Sequence, residues 1–259
     1  MRSIDLNADT GEADTPEWQA VEASVMCHIT SANIACGGHA GDRETMSRTV
    51  KLAVKNGVNI GAHPAYPDKS NFGRKSLKLG FDISRSDLKS SLKAQIINLC
   101  EIAAENGHMI TYVKPHGALY NDSVFNHELA EILAETIAEI DSNLWLMGAP
   151  DSEQKKAAEK YGLHYIQEGF IDRRYTDDGH LQSRKEDGAV IKNQNARKAQ
   201  AIALLNRNPV TTASGSELTL SVDTLCLHSD SVGADQTAAI IRKALIDQKA
   251  KIKAFRNAR

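Results

Sequence analysis

Long apolar runs are missing from this chain of 259 residues. None approaches the roughly 18–20 residues a helix needs to span a bilayer, so no membrane span is expected. A surplus of basic charge is missing too: 31 Lys and Arg face 33 Asp and Glu, a formal net charge of -2. That balance argues against nucleic acid or an anionic membrane surface as the partner. The four cysteines, Cys27, Cys36, Cys100 and Cys226, form no CxxC and no paired spacing, which favours reduced thiols over a disulfide framework. The first residues, Met1-Arg2-Ser3-Ile4-Asp5, turn polar at once and do not read as a secretory signal, so a cytoplasmic location is expected. Also absent are a GxxxxGK[ST] P-loop and a GxGxxG fingerprint, so a bound nucleotide would need a less familiar cradle.

What is present is alternation of short strands with amphipathic helices. Ile4, Leu6 and Ala8 alternate with Asp5, Asn7 and Asp9, which predicts a first strand with one polar face. That face either lies at a sheet edge or is hydrogen-bonded inside, because burying three bare polar groups is expensive. Ile29 to Ala35 continues as a buried run. It breaks into Gly37-Gly38-His39-Ala40-Gly41 before a helix that Asp42 is placed to cap. Val58 to His63 forms a strand, and Pro64 and Pro67 then open a long loop holding Tyr66 and Arg74, suited to a planar or anionic ligand. A helix from Ser86 is closed by Gly107. Next come a strand over Ile110 to Val113 and a loop carrying Lys114, His116 and Tyr120. Further strands are expected at Leu144–Ala149, His164–Phe170 and Asp223–His228, with a weaker one at Leu218–Val222. Helices are expected from Asn126, Asp151, Asn193 and Ala234, and Lys249 to Arg259 reads as a solvated helix end.

No linker interrupts this order, so residues 1–259 read as one domain. The class is α/β: a single (β/α) barrel of about seven or eight mostly parallel strands, with a doubly wound sheet as the alternative. In such barrels the working groups gather at the C-terminal strand ends. Those ends carry Asp5, Asn7 and Asp9; Asn33, His39 and Asp42; His63; Lys114 and His116; Glu168, Asp172 and Arg173; His228 and Asp230. Histidines and carboxylates on one rim can bind a divalent metal and activate water, or act as general acid and base without one. No local HxxxH or HxxE spacing decides between these, so a bound metal stays open. The Gly37–Gly41 turn could also cradle phosphate through backbone N–H groups. His108, His127, His164 and His180 read as surface residues and His28 as structural.

Seven segments in order resemble the LamB/YcsF family, the A subunit of the prokaryotic ATP-dependent 5-oxoprolinase. They are Asp5-Leu-Asn-Ala-Asp9, Thr30 to Asp42, Ile60 to Asp68, Phe72-Gly-Arg74, Val113 to Asn121, Asp172-Arg173 with Tyr175, and Asp223 to His228. The chain departs from the usual pattern at Ala8 (usually Cys), Gly38 (usually aromatic) and Ala65 (usually Gly). The resemblance implies a barrel related to polysaccharide deacetylases, and cleavage of 5-oxo-L-proline to L-glutamate coupled to ATP hydrolysis. It implies ATP, with Mg2+, as co-substrate, no organic prosthetic group, and partner subunits B and C. On that reading Lys114 and Arg173 meet phosphate or oxyanion charge. His39, His63 and His116 move protons or orient water, and Asp9 serves as base or fixes a tautomer. Asn7, Asn33 and Glu168 hold the lactam, while Asp42, Tyr66, Arg74 and Tyr120 complete the substrate contacts. Two other readings stand beside it: a metal-dependent amide hydrolase or sugar deacetylase that needs no ATP, and a non-catalytic lactam- or carbohydrate-binding subunit.

Overall fold

The computed structural model describes residues 2–228 and 233–255. Its strands and helices alternate in chain order: β1 (Ser3–Thr10), α1 (Pro16–Met26), β2 (Ser31–Ala35), α2 (Arg43–Asn56), β3 (Asn59–His63), α3 (Arg85–Glu105), β4 (Tyr112–Val113), α4 (Gly117–Phe125), α5 (His127–Ile140), β5 (Trp145–Gly148), α6 (Glu153–Lys160), β6 (Tyr165–Phe170) and α7 (Gln194–Asn206). A short antiparallel ribbon, β7 (Val210–Thr211) and β8 (Glu217–Leu218), precedes β9 (Thr224–Leu227), α8 (Ala234–Asp247) and β10 (Lys251–Ile252). β1 pairs in parallel with both β2 and β9, and β2 through β6 follow in sequence until β6 pairs with β9. The result is a closed parallel barrel of seven strands with helices outside, as the alternation predicts.

The two faces of β1 separate the layers. Ile4, Leu6 and Ala8 join the large apolar cluster that also takes in the buried faces of the helices. Asp5, Asn7 and Asp9 turn into the barrel, so β1 lies at the centre of the molecule and not at a sheet edge. A second, smaller apolar cluster of Tyr112, Met147 and Ile166, with Trp145 and Phe255 against it, fills the barrel below the polar groups. Tyr112 can lie flat over β3 only because position 61 is glycine: a Cβ there would meet its ring at 2.2 Å.

Several elements differ from expectation. The tail is no helix end. α8 stops at Asp247, and Lys251 and Ile252 pair in parallel with Ser3 and Ile4. Phe255 then packs on Tyr112 and Trp145 with ring centroids 5.2 and 5.5 Å apart. A lysine-rich stretch hides this pairing, because an edge strand needs few apolar residues. Gly117–Phe125, read as loop as far as Asn121, is helical; its glycine, asparagine and aromatic residues form helix poorly alone, and buried Leu119, Tyr120 and Val124 hold it. The helix expected from Ser86 is capped two residues earlier by Ser84. No helix of the described residues is long and apolar enough to cross a membrane.

Candidate active site

Inside the barrel the polar side chains form layers. Asp5 accepts hydrogen bonds from Thr30 Oγ1 (2.6 Å), Ser31 Oγ (2.7 Å) and Thr224 Oγ1. Burial pushes its carboxyl up to about 6 against these three donors. Above it, Asn33 Nδ2 donates to Asn7 Oδ1 and Asp9 Oδ1, both at 2.8 Å, and Asn33 Oδ1 accepts from Tyr112 Oη at 2.7 Å. Asn7 Nδ2 donates to Thr224 Oγ1 at 2.8 Å. Both amides are therefore committed to the network, and neither lines the cavity above. The expectation that Asn7 and Asn33 grip a substrate is corrected accordingly: they hold Asp9 and Lys114 in place.

Lys114 is the hub. Its Nζ lies 2.9 Å from Asp9 Oδ1, 2.8 Å from Glu168 Oε1 and 3.3 Å from Cys226 Sγ. Burial alone would lower the lysine, but Asp9, Cys226 and Glu168 keep it well above its usual value. Burial would likewise raise Asp9, yet His63 and Lys114 hold it well below the usual carboxylate range. Both are charged: an ammonium enclosed by carboxylates in a dry place, costly to assemble and costlier to break. Glu168 is fully buried and outside the cavity lining, so it serves Lys114 rather than a ligand directly.

Three histidines stand beside this hub. His63 Nδ1 donates to the Lys114 carbonyl at 2.7 Å and His116 Nε2 to the Phe72 carbonyl at 3.1 Å. Carbonyls only accept, so these contacts fix which nitrogen carries the proton. The remaining nitrogens, His63 Nε2 and His116 Nδ1, face each other at 3.0 Å, and His63 Nε2 also lies 3.3 Å from Asp9 Oδ1. His39 stacks flat on His116, centroids 3.5 Å apart, and its Nε2 meets Glu12 Oε1 at 2.7 Å. Burial and the neighbouring imidazoles push His116 well below 6.5, and burial also lowers His39. Glu12 Oε1, His39, His63 and His116 bring four donor atoms within 4.8 Å of one another; Asp9, Cys226 and His228 form a second such group.

Above these groups opens a cavity of about 470 Å³, within the usual size of small-ligand sites. Asp9, Lys114, His63, His116 and Glu12 form one wall. The lining is also cationic, with Arg74, Arg173, Arg184 and Lys185. Burial and the nearby Arg184 lower Arg173 to about 10. Like charges held this close suit an anionic ligand. Arg184 Nη2 donates to His228 Nε2, and His228 Nδ1 donates to Asp172 Oδ2, both at 2.7 Å, so the His228 tautomer is set. Tyr120 also lines the cavity; its buried hydroxyl has no hydrogen-bond partner among the described residues.

Residues 4–259 match the model of the LamB/YcsF family. The chain is 37% identical to the 5-oxoprolinase A subunit of Campylobacter jejuni over 257 residues, 99% of each protein. It is 40% identical to that of Pyrococcus abyssi over 249 residues, 96% of each. The chain belongs to the LamB/YcsF family. A lactam utilization protein from Thermus thermophilus superposes with a TM-score of 0.88 at 30% identity, covering 98% of this chain and 100% of that one. A putative cellobiose-phosphate cleavage protein from Enterococcus faecalis V583, at 13% identity and a TM-score of 0.59 over 98% of this chain and 97% of that one, shares the fold.

Set against this LamB/YcsF site, the residues read from the sequence divide. Asp9, His63, Lys114, His116, Arg74, Tyr120 and Arg173 line one cavity, and His39 stacks directly behind it. Asp42 does not: it is an exposed N-cap whose carboxylate accepts from Thr45 N at 2.8 Å, which also closes α2 to phosphate. Tyr66 is buried away from the cavity and donates to Asp122 Oδ2 at 3.1 Å. In the Gly37–Gly41 turn a Cβ on Gly38 would lie 2.2 Å from Gln95 Oε1, so that position is tightly packed. Asp230 lies outside the described residues. His127 and His164 are exposed, as expected. Glu12, Arg184 and Lys185 escaped sequence reasoning. Glu12 follows the β1 strand end and could have been caught by that rule. The other two sit in the irregular stretch after β6 with no local signal.

Proposed function

We propose that this chain is the A subunit of a 5-oxoprolinase, opening the lactam of 5-oxo-L-proline to L-glutamate in the cytoplasm with subunits B and C and hydrolysis of ATP. The observation that carries the reading is a mouth lined by both acid–base groups and cationic side chains, in a chain that matches 5-oxoprolinase A subunits from end to end. The substrate has the complementary parts: a carboxylate for the arginine side and an amide for the Lys114–His63–His116 side.

A five-membered lactam is a stable amide, and ATP supplies the drive. Transfer of the terminal phosphoryl group to the amide oxygen, releasing ADP, makes the carbonyl carbon a stronger electrophile. Water adds there, the C–N bond breaks, the nitrogen takes a proton, and phosphate leaves as the carboxylate forms. Arg173 and Lys114 offset the charge that builds on oxygen. His63 and His116 orient the attacking water at the carbonyl through the nitrogens they turn to the cavity. Asp9 keeps Lys114 charged and His63 oriented, and Tyr120 Oη is free to bond the substrate.

Reconstitution with B and C tests this: 5-oxoproline-dependent release of glutamate and ADP is expected only when all three are present. A complete complex that hydrolyses ATP without regard to 5-oxoproline would end the proposal.

A further inference from the structure

The histidine wall of the cavity has the architecture of a metal centre. We propose that His63 Nε2, His116 Nδ1 and Glu12 Oε1 hold one divalent transition-metal ion of the zinc type, with an open position facing the cavity. This deepens the functional reading above and rests on it for the identity of the ligand in the open position, not for the ion itself.

Four observations carry it. First, the remote nitrogens of His63 and His116 both donate to backbone carbonyls, at 2.7 and 3.1 Å. That second tier of bonds is what orients metal-bound histidines and leaves the inner nitrogens bare. Second, those inner nitrogens lie 3.0 Å apart with lone pairs facing, and Glu12 Oε1 is 3.5 Å from His116 Nδ1. Ligands bound at about 2.0–2.2 Å around a tetrahedral ion lie roughly 3.3–3.5 Å apart, so little movement is needed. Without a cation, the two nitrogens require a shared proton. Third, all three donors line the cavity, the pattern of a catalytic site that keeps one position open. Fourth, His39 fits as support and not as a ligand. Its ring is parallel to His116 within 2°, so its lone pair runs alongside, while its Nε2 holds Glu12 Oε1 at 2.7 Å.

The donor set chooses the ion class. Two imidazoles and a carboxylate suit Zn, Co, Ni or Fe(II), whereas Mg2+ and Ca2+ prefer oxygen ligands. The neighbouring group of Asp9, Cys226 and His228 is a poorer candidate, because the Lys114 ammonium already touches Asp9 and Cys226. An ion on the histidine wall would polarise the lactam carbonyl or activate the attacking water.

The test is metal content by mass spectrometry, then calorimetric titration of the chelator-treated full chain with Zn2+ and, separately, Mg2+. Visible absorption with Co2+ reports the coordination. One Zn2+ per chain is expected, with Mg2+ failing to compete. His63→Ala and His116→Ala should each weaken Zn2+ binding by roughly 100-fold, and Glu12→Gln by roughly tenfold. His127→Ala, which removes an exposed histidine beside Glu131 and Glu153, should leave it unchanged. Glu12→Gln, at a partly exposed position, keeps the test open if a histidine variant fails to fold. Wild type that binds Zn2+ no better than these three variants overturns the proposal. Its failure is separable from that of the functional reading. Failure of the chain to bind Zn2+ while the complex, supplied with Mg2+ and ATP, turns over 5-oxoproline would remove the ion alone, and stoichiometric Zn2+ without turnover would remove the reaction alone.

Discussion

Lys114 shows how one residue carries both stability and chemistry. Its ammonium is enclosed by Asp9, Glu168 and Cys226. Replacing it by methionine leaves two buried carboxylates without their cation, a loss of about 3–5 kcal/mol. Urea unfolding of Lys114→Met should show that drop, and adding Glu168→Gln should restore part of it by removing one orphaned charge. Glutamate formation should stay abolished in both. Such a hub is visible in the sequence only as a lysine and a carboxylate on nearby strand ends. That Glu168 pairs with Lys114 follows from the strand order, which sets β4 and β6 on opposite sides of β5, and from the inward turn of both side chains.

At the scale of elements, two segments decide the shape of the site. The turn between β2 and α2 is packed against α3 by Gln95, which holds Ala65 through its backbone N–H (3.0 Å) and carbonyl (2.9 Å). The Gln95 carboxamide occupies the space into which a side chain at Gly38 would project. Gly38→Ala should therefore destabilise by about 1–3 kcal/mol, the usual cost of overpacking. Gly38→Ala combined with Gln95→Ala should cost less than the sum of the two singles, measured as a double-mutant cycle. The irregular segment after β6 brings Arg184 and Lys185 over the cavity. Arg184→Ala should raise KM for 5-oxoproline by about tenfold and leave kcat within about twofold, the mark of a group that binds ground and transition state alike. Helix caps were legible here, as at Asp42 and Asn126, because a cap is a local hydrogen bond. The position of Arg184 was not, because nothing near it in the chain specifies which wall it faces.

Across the whole molecule the barrel separates stability from function along its axis. Phe255 packs in the apolar cluster at the end away from the cavity, on Tyr112 and Trp145. Phe255→Ala should cost about 2 kcal/mol, less than the roughly 3–5 of a fully buried phenylalanine, with kcat and KM unchanged. Acidity should also register globally. His116 and His39 are held below 6.5 in the fold, chiefly by burial. Below pH 6.5 the unfolded chain binds protons that the folded one refuses, so stability is fully present above that value and lost as pH falls. Asp5, raised to about 6 from 3.8, works in the opposite direction between those two values, gaining stability on acidification. The histidines act first and are two, so chelator-treated protein should lose roughly 1–3 kcal/mol between about pH 7 and pH 5. His116→Asn should flatten that loss, and Asp5→Asn should steepen it.

The sequence by itself determined the periodicities, and through them the barrel. Alternation along β1, apolar helix faces and glycine or asparagine at element ends are local signals that survive in one dimension. It also determined most of the cavity wall, because strand ends in a parallel barrel share one rim. Tertiary structure alone decided which polar residues face a ligand and which brace their neighbours. Asn7 and Asn33 sit on the inner face just as Asp9 does, yet lie deeper and spend their hydrogen bonds on one another. It alone decided that the lysine-rich tail becomes β10, since strand pairing depends on a partner more than 240 residues away. Depth in the barrel and contact across the chain have no period to read, and only closing the sheet settles them.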